Sequence, residues 1–214
     1  MTFLLFGDGS PRVGLYDRYL GTRIRLSDAV LPERVAIVLT EQDLLEQGAY
    51  DTLESVLEWA FEYGARNLIL YVSVLDEAAV PTLRRQLEGI DTSRDVAVRG
   101  PADDHQAETP IQISIGLGGK HEFATAVSAL AREVEAGELD PADIDESEIE
   151  RRLVFRSDPD LVIKTGAERL SDFMIWQSVY SELYFTDVNW RDFRKRDYLR
   201  AIRDYQQRQR RFGR

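Results

Sequence analysis

The hydrophobic pattern of this chain alternates between short apolar runs and longer stretches with helical periodicity. Three short runs are rich in apolar residues, as is typical of central parallel strands that are covered on both faces: Val35–Leu39, Asn67–Ser73 and Ile111–Ile115. Between the first two, Thr52–Tyr63 places its apolar residues on one helical stripe and stops at Gly64. The pattern therefore predicts a strand–helix–strand unit early in the chain.

The alternation continues to the end of the chain. It predicts further helices at Leu15–Leu26, Val80–Glu88, Glu122–Ala136, Glu146–Leu153, Ser171–Tyr180 and Asp192–Arg210, and further strands at Val96–Arg99, Asp160–Lys164 and Leu183–Phe185. Such repetition predicts an α/β fold, a single domain whose mainly parallel central sheet is flanked by helices. We expect this domain to cover residues 1–214, with residues 1–32 as a helical arm and residues 192–214 as a terminal helix and tail.

Composition limits the classes of protein that this chain can belong to. With 214 residues and 43% hydrophobic content it can bury one sizeable core, and it has no apolar run of about 18 residues that would span a bilayer. Its start lacks the features of a signal peptide, so we expect a cytoplasmic protein. There is no cysteine, and His105 and His121 are the two histidines, so any metal is expected to be a hard cation such as Mg²⁺ on carboxylates.

Charge is distributed unevenly along the chain. The formal net charge is −11, but residues 1–150 carry −17 and residues 151–214 carry +6. Ligands of open α/β sheets bind beyond the carboxyl ends of the strands, and Lys164 comes right after the apolar run Leu161–Ile163 at the end of a predicted strand. A helix starting at Ser171, flanked by Lys164 and Arg169, would make a diphosphate cradle. From spacing alone, an ordinary helix cap at Ser171 and a solvated Arg169 are the more common outcomes.

The residues around this cradle resemble a known family. The run DPDLVIKTGAERLSDFMIWQSVYSELYFTDVNW, residues 158–190, is similar to the undecaprenyl diphosphate synthase family, the cis-prenyltransferases. The resemblance implies a cis-prenyltransferase-like fold and not a Rossmann dinucleotide fold. In that family two arginines and a serine hold the diphosphate of isopentenyl diphosphate. The matching residues here are Lys164, Arg169 and Ser171, with a loop one residue shorter and a lysine that cannot grip phosphate bidentately.

Two further features carry functional expectations from the resemblance. Glu182 matches a family glutamate that helps to hold magnesium, and Arg211 and Gly213 match an Arg-x-Gly signature with which one subunit reaches into its partner's active site. Without the resemblance, a glutamate between aromatic residues would cap a helix or form a salt bridge. A basic C-terminal tail would be a solvated helix end.

The amino-terminal half departs from the family. Members carry Met-Asp-Gly-Asn-Gly-Arg after the first strand, whereas this chain has Leu39–Leu44, with Thr40 in the position of the magnesium-binding aspartate. Glu41 and Asp43 add negative charge there. Gly116–Lys120 corresponds to the family's Asn-Tyr-Gly-Gly-Arg and keeps only the glycine pair. The segment between Tyr71 and Val96 is short, so the resemblance implies little room for a long polyprenyl product.

Three hypotheses follow. In the first, the chain is the non-catalytic subunit of a heteromeric cis-prenyltransferase and resembles the Nogo-B receptor type of subunit. It pairs with a catalytic homologue in a heterodimer or heterotetramer, and the complex uses isopentenyl diphosphate to make a polyprenyl lipid carrier. In the second, it is a complete, homodimeric enzyme with a short product that uses Glu41 or Asp43 for magnesium. In the third, it is a non-enzymatic interaction protein with a basic C-terminal helix. We expect no nucleic acid partner, and any contact with a membrane to be peripheral, through the lipid product.

Overall fold

The computed structural model describes residues 14–101, 103, 109–153, 158–166 and 176–211, with the backbone alone at 209–211. The strands are β1 (Arg34–Thr40), β2 (Asn67–Ser73), β3 (Val96–Arg99), β4 (Ile111–Gly116), β5 (Leu161–Thr165) and β6 (Glu182–Thr186). The helices are α1 (Leu15–Arg25), α2 (Glu41–Leu45), α3 (Ala49–Glu62), α4 (Val80–Glu88), α5 (Gly119–Glu135), α6 (Glu146–Glu150) and α7 (Lys195–Arg211).

The six strands form one sheet in the order β3-β4-β2-β1-β5-β6, and every neighbouring pair is parallel. The predicted single α/β domain with a parallel central sheet is therefore confirmed. Because all strands run in the same direction, their carboxyl ends meet at one edge of the sheet, where Thr40, Ser73 and Gly116 lie side by side in register. This edge is where an open α/β sheet binds ligands.

One face of the sheet, the first face, is closed by a continuous apolar core. Its strand residues include Ile37, Leu70 and Ile163, and they pack against apolar side chains of α1, α3, α4 and α7. This core includes most of the apolar stripe predicted for α3 and the predicted apolar positions of α7. The core residues from these four helices are Leu20, Ile24, Leu53, Val56, Leu57, Ala60, Leu83, Leu87, Tyr198, Leu199, Ile202 and Tyr205.

The opposite face, the second face, has a much smaller apolar cluster, which consists of Ala36, Val38, Ile69, Tyr71 and Val162 with Leu183 beside them. One register row crosses this face through all six strands, in the order Arg99, Ser114, Tyr71, Val38, Lys164 and Phe185. Two cationic side chains and two hydroxyl groups therefore lie on a face that a doubly covered parallel sheet normally fills with apolar residues. A cavity separates part of this row from α5.

Several element boundaries differ from the predictions. Strands β2 and β3 and helix α4 have the predicted bounds, but α3 begins three residues early, at Ala49, because Gly48 takes a left-handed conformation (φ 84°) before it. Helix α2 was not predicted. Residues 176–180 form turns, so the predicted helix at 171–180 is wrong over its described part, and its first five residues lie outside the described residues.

The C-terminal helix begins at Lys195, three residues later than predicted. Trp190–Asp192 form a short 3₁₀ turn, and the Asp197 carboxylate accepts a hydrogen bond from the Arg194 N–H at 3.0 Å, which closes the first turn of α7. Within the described ranges, no helix has the length and apolar character needed to cross a membrane.

Candidate functional site

The carboxyl end of β1 is closed by a local hydrogen-bond cap. The backbone N–H and the hydroxyl of Thr40 both donate to Oδ2 of Asp43 at 2.8 Å, and the Thr40 hydroxyl accepts from the Asp43 N–H at 3.3 Å. This reciprocal cap starts α2. The Asp43 carboxylate is thus already engaged by its own backbone turn, in the place where the resemblance leads one to look for a magnesium ligand.

Glu41 lies beside this cap and differs from Asp43. Its side chain is half-buried, and its Oε2 atom is buried with no hydrogen-bond partner in the described part of the chain. Buried carboxylate oxygens normally have a hydrogen-bond or metal partner, so this oxygen is suited to bind a metal ion, a water molecule or a ligand donor. Of the two carboxylates that the sequence left equivalent, Glu41 is the one with a buried oxygen that has no partner among the described residues.

The carboxyl end of β5 carries a buried cation. Lys164 is only 4% exposed, and its ammonium group donates to the Thr165 carbonyl at 3.4 Å. No carboxylate pairs with it among the residues that the structure describes. A buried ammonium without a counter-charge is costly, and an anionic ligand would relieve that cost. Lys164 lies near the carboxyl end of β5, within the strand predicted at Asp160–Lys164 and directly after the apolar run Leu161–Ile163.

Sequence reasoning missed Thr165, the residue after Lys164. Its side chain is 1% exposed, and its hydroxyl oxygen is buried without a hydrogen-bond partner among the described atoms. The next residue, Gly166, takes a left-handed conformation with φ 80° and donates its N–H to the Val188 carbonyl at 3.0 Å. The only signal in the sequence was its position between a buried lysine and a glycine at a strand end. Arg169 and Ser171 lie outside the described residues.

Glu182 is not close to Lys164 within one chain. It is the first residue of β6, whereas the register partner of Lys164 is Phe185, three residues further along that strand. Three residues of a strand span about 10 Å. Glu182 instead accepts a hydrogen bond from Arg208 of α7 at 3.2 Å. The structure therefore brings Glu182 to the amino end of the sheet and not to the edge that carries Lys164 and Thr40.

The potential metal ligands among the described residues do not cluster. These residues contain no group of three or more histidine, aspartate or glutamate side chains placed to hold a metal ion. Asp43 is engaged in the cap, and Glu182 is paired with Arg208. Mg²⁺ is often held by one or two carboxylates together with water and phosphate oxygens, and Glu41, whose buried Oε2 has no partner among the described residues, is the candidate carboxylate at this edge.

The C-terminal helix carries many basic residues, but acidic partners lie close to most of them. Lys195 pairs with Glu62, Arg200 with Asp197 and Arg208 with Asp204. Such pairing gives a solvated face of alternating charge and not an uninterrupted basic surface. The side chain of Arg211, and Gly213, lie outside the described residues.

The glycine-rich turn after β4 is held by Tyr71 of β2. The Tyr71 hydroxyl accepts a hydrogen bond from the Gly118 N–H at 2.9 Å. A Cβ at Gly116 would lie 2.8 Å from the same oxygen, so the tyrosine occupies the space that a side chain at this position would need. The glycine at 116, where the family has asparagine, is therefore explained by a neighbour on the adjacent strand.

The fold is that of a known class of prenyl diphosphate synthase. The solved structure of lavandulyl diphosphate synthase from Lavandula x intermedia, in complex with dimethylallyl diphosphate, superposes with a TM-score of 0.64 over 82% of this chain and 95% of that chain. The two sequences are 23% identical, so the likeness concerns the fold.

The chain belongs to the undecaprenyl diphosphate synthase family, the cis-prenyltransferases. The family model described as "Putative undecaprenyl diphosphate synthase" matches residues 89–213. The tritrans,polycis-undecaprenyl-diphosphate synthase (geranylgeranyl-diphosphate specific) of Methanopyrus kandleri is 33% identical over 95% of this chain and 92% of its own length. The enzyme of the same name from Pyrococcus abyssi is 31% identical, with 95% and 94% covered.

The similarity is uneven along the chain. The family model leaves residues 1–88 unmatched, and these include Thr40. The alignment with the Methanopyrus protein extends over 252 positions, more than the 214 residues of this chain, so that relative contains segments with no counterpart here. Both observations agree with a chain that has diverged on its amino-terminal side and is shorter than its relatives.

Proposed function

We propose that this chain is the non-catalytic subunit of a heteromeric cis-prenyltransferase. The observation that carries the proposal is the cap at the carboxyl end of β1, where Thr40 replaces the family aspartate and Asp43 is engaged by the Thr40 N–H and hydroxyl. In this assembly a catalytic homologue binds the allylic diphosphate and supplies the aspartate and the tunnel for the growing chain. The names of the similar archaeal proteins make geranylgeranyl diphosphate the first allylic substrate to test.

The buried Lys164 supports a retained role in holding a diphosphate. The residue is 4% exposed and its ammonium group donates to a neutral carbonyl, so the diphosphate of isopentenyl diphosphate is a suitable counter-charge. We propose that Arg169 and Ser171 complete this half-site. Electrostatic stabilisation of diphosphate is the main contribution that such residues make to prenyl transfer.

The outer edge of β6 supports the proposed pairing with a second subunit. In the described sheet this strand is hydrogen-bonded to β5 alone. Tyr180 is 88% exposed and its neighbour Val179 is 66% exposed, and Phe185, further along the chain in β6, is also exposed. An open strand edge with exposed apolar side chains is unfavourable in a monomer and suits a protein interface. We propose that this surface meets the partner, and that Glu182 and Arg211 act across the resulting interface.

An assay of prenyl transfer tests the proposal. The purified chain is incubated with Mg²⁺, geranylgeranyl diphosphate and labelled isopentenyl diphosphate, with and without a homologue from the same genome that retains Asp-Gly-Asn. We expect product only when both proteins are present, and its loss with Arg211→Ala. Arg196→Ala is the matched control, because it removes a half-exposed arginine from the same helix. Turnover by this chain alone would refute the proposal.

A second candidate function is a self-sufficient enzyme with a short product. The buried Oε2 of Glu41, which has no partner among the described residues, favours it, because Glu41 follows the position of the missing aspartate. Glu41→Gln should then abolish turnover by the chain alone, whereas Glu46→Gln, which changes an exposed carboxylate paired with Arg191, should not. If the chain alone has no turnover with geranylgeranyl or shorter allylic diphosphates, this candidate is wrong.

A further inference from the structure

A cavity of about 290 Å³ lies between the second face of the sheet and α5. We propose that it binds a small phosphorylated molecule and that it is separate from the diphosphate site at Lys164. The cavity reaches Arg99, Ser114 and Tyr71 of the polar register row, but Lys164 is not part of its lining. Arg99 of β3 and Lys164 of β5 are four strands apart, which corresponds to about 19 Å.

Three arginines from different parts of the chain converge on this cavity. Arg99 comes from the end of β3, and Arg151 and Arg152 follow α6. Arg99 donates to the backbone carbonyl of Asp103 at 2.5 Å. Arg151 pairs with Glu148, and Arg152 pairs with both Glu133 and Glu148. A guanidinium group has five N–H donors, and Arg152 engages four of them with Glu133 and with the carbonyl and carboxylate of Glu148. Arg151 engages two, with the Ser147 carbonyl and Glu148, so it retains N–H groups that can reach a phosphate in the cavity.

The start of α5 adds backbone donors to the same cavity. This 17-residue helix begins at Gly119, and Gly118 before it has a left-handed backbone (φ 107°) that turns the chain from β4 into the helix. The first N–H groups of a helix have no intrahelical partner and favour an anion. His121 in the first turn also lines the cavity. The helix end and the arginines therefore favour the same charge.

Two acidic residues line the cavity, and both already hold donors. The Asp103 carboxylate accepts from the Gly100 N–H at 2.9 Å and from Arg84, and these contacts hold the pKa of Asp103 below its usual range. Glu122 accepts from the Gln177 amide at 3.1 Å. Hydrogen bonds of this kind reduce the repulsion that a phosphate would otherwise meet.

The size and the apolar part of the lining define the class of ligand. The apolar part of the lining includes Ile115, Leu117, Ala126 and Leu153. Small-molecule pockets start at about 300 Å³, so this cavity suits a phosphate group with a short apolar portion and excludes a polyprenyl chain. Phosphate is preferred over carboxylate because its additional oxygen and charge can engage donors from several arginines at once.

Calorimetric titration at low ionic strength tests the site, with inorganic phosphate as the probe and acetate as the carboxylate probe. The titrations use the full chain carrying Lys164→Met, which removes the other expected anion site. We expect saturable phosphate binding at one site, weaker binding of acetate, and a loss of at least about tenfold in phosphate affinity when Arg99→Met is added. Arg66→Met is the matched control, because this arginine is exposed and lies away from the cavity.

A second variant guards against misfolding of the arginine mutant. Ala129→Leu fills the cavity without changing charge and should also weaken phosphate binding, while circular dichroism should show an intact fold for each variant. Phosphate binding that survives both Arg99→Met and Ala129→Leu would overturn the proposal, as would equal binding of acetate. If Lys164→Met alone abolishes all phosphate binding, this cavity is not a site, whereas the proposed diphosphate site at Lys164 is supported.

Discussion

The two faces of the sheet differ in what they contribute. The first face is covered by α1, α3, α4 and α7 and buries a continuous set of aliphatic and aromatic side chains. The second face has a small apolar cluster, a row that includes Arg99 and Lys164, and a cavity beneath α5. Burial of apolar surface is the main favourable term in folding, so the first face provides most of the stability. The second face can therefore keep polar groups that stabilise little but bind anions.

A pair of tryptophan substitutions tests this division with the largest expected effect. Trp190 is 1% exposed, stacks on Phe193 and donates its indole N–H to the Ala49 carbonyl at 3.0 Å. Trp190→Ala should lower the free energy of unfolding by about 3–5 kcal/mol, which is a large part of the stability of a domain. Trp176 stacks on Phe123 of α5 and is only half-buried, so Trp176→Ala should cost about 1 kcal/mol.

Urea unfolding followed by circular dichroism measures both variants, because this probe does not depend on the tryptophan that is removed. Equal losses for the two would mean that the α5 side contributes as much stability as the first face, and the comparison would fail.

The buried lysine gives a prediction of opposite sign. Lys164→Met should raise the free energy of unfolding by about 1–3 kcal/mol, because it replaces a buried ammonium that has no carboxylate partner among the described residues with an apolar side chain of similar length. The same change should remove the stabilisation that diphosphate confers on the parent protein. Thermal and urea unfolding, with and without inorganic diphosphate, measure both effects.

Ile163→Met is the matched control, since Ile163 is the preceding residue of β5 and points to the first face. This substitution should be neutral or cost less than about 1.5 kcal/mol. A destabilising Lys164→Met would contradict the view that the second face keeps this charge for a ligand at the expense of stability.

Hydrophobic periodicity was sufficient to predict the architecture. The runs at 67–73 and 96–99 and the helix at 80–88 have the predicted bounds, and Asp95 and Gly100 bound the second run while Gly89 ends the helix. Helix α2 was missed because its five residues have no apolar period and start with a Thr40–Asp43 cap. The turns at 176–180 resemble a helix in sequence, but a hydrogen bond from Ser181 to the Pro159 carbonyl at 2.6 Å favours another path.

The candidate site was less predictable than the fold. Lys164 and Thr40 were identified through their place after strands and through the family resemblance. The sequence did not indicate that Glu182 lies at the opposite end of the sheet from Lys164, because that depends on which strand pairs with β6 and in which register. It did not separate Glu41 from Asp43 either, since only the structure shows that Asp43 is engaged in the cap and that Glu41 has a buried oxygen without a partner among the described residues.

A smaller effect is expected where Tyr71 contacts the glycine-rich turn. Gly116→Asn, which restores the family residue, brings a Cβ to 2.8 Å from the Tyr71 hydroxyl and should cost about 1–3 kcal/mol by overpacking. Tyr71→Phe removes that oxygen together with the hydrogen bond from Gly118 and should cost about 1 kcal/mol alone.

The double variant should lose less stability than the sum of the two single losses, because Tyr71→Phe removes the hydroxyl oxygen that the Cβ introduced at position 116 would otherwise meet. Strict additivity in urea unfolding would show that Tyr71 does not determine the residue at 116.

The smallest expected effect concerns the cap at the end of β1. Thr40→Val keeps the shape of the side chain but removes the hydroxyl that donates to Asp43 Oδ2 and accepts from the Asp43 N–H. The loss of this cap should cost about 1 kcal/mol. Thr52→Val is a useful control, because this buried threonine makes only a long hydrogen bond of 3.5 Å to the Arg191 carbonyl and should cost less. The prenyl transfer assay with the catalytic homologue adds a functional measurement. If the cap only closes an unused end of β1, Thr40→Val should leave product formation by the complex unchanged. A drop in turnover while the complex still forms would mean that this end of the sheet takes part in the reaction.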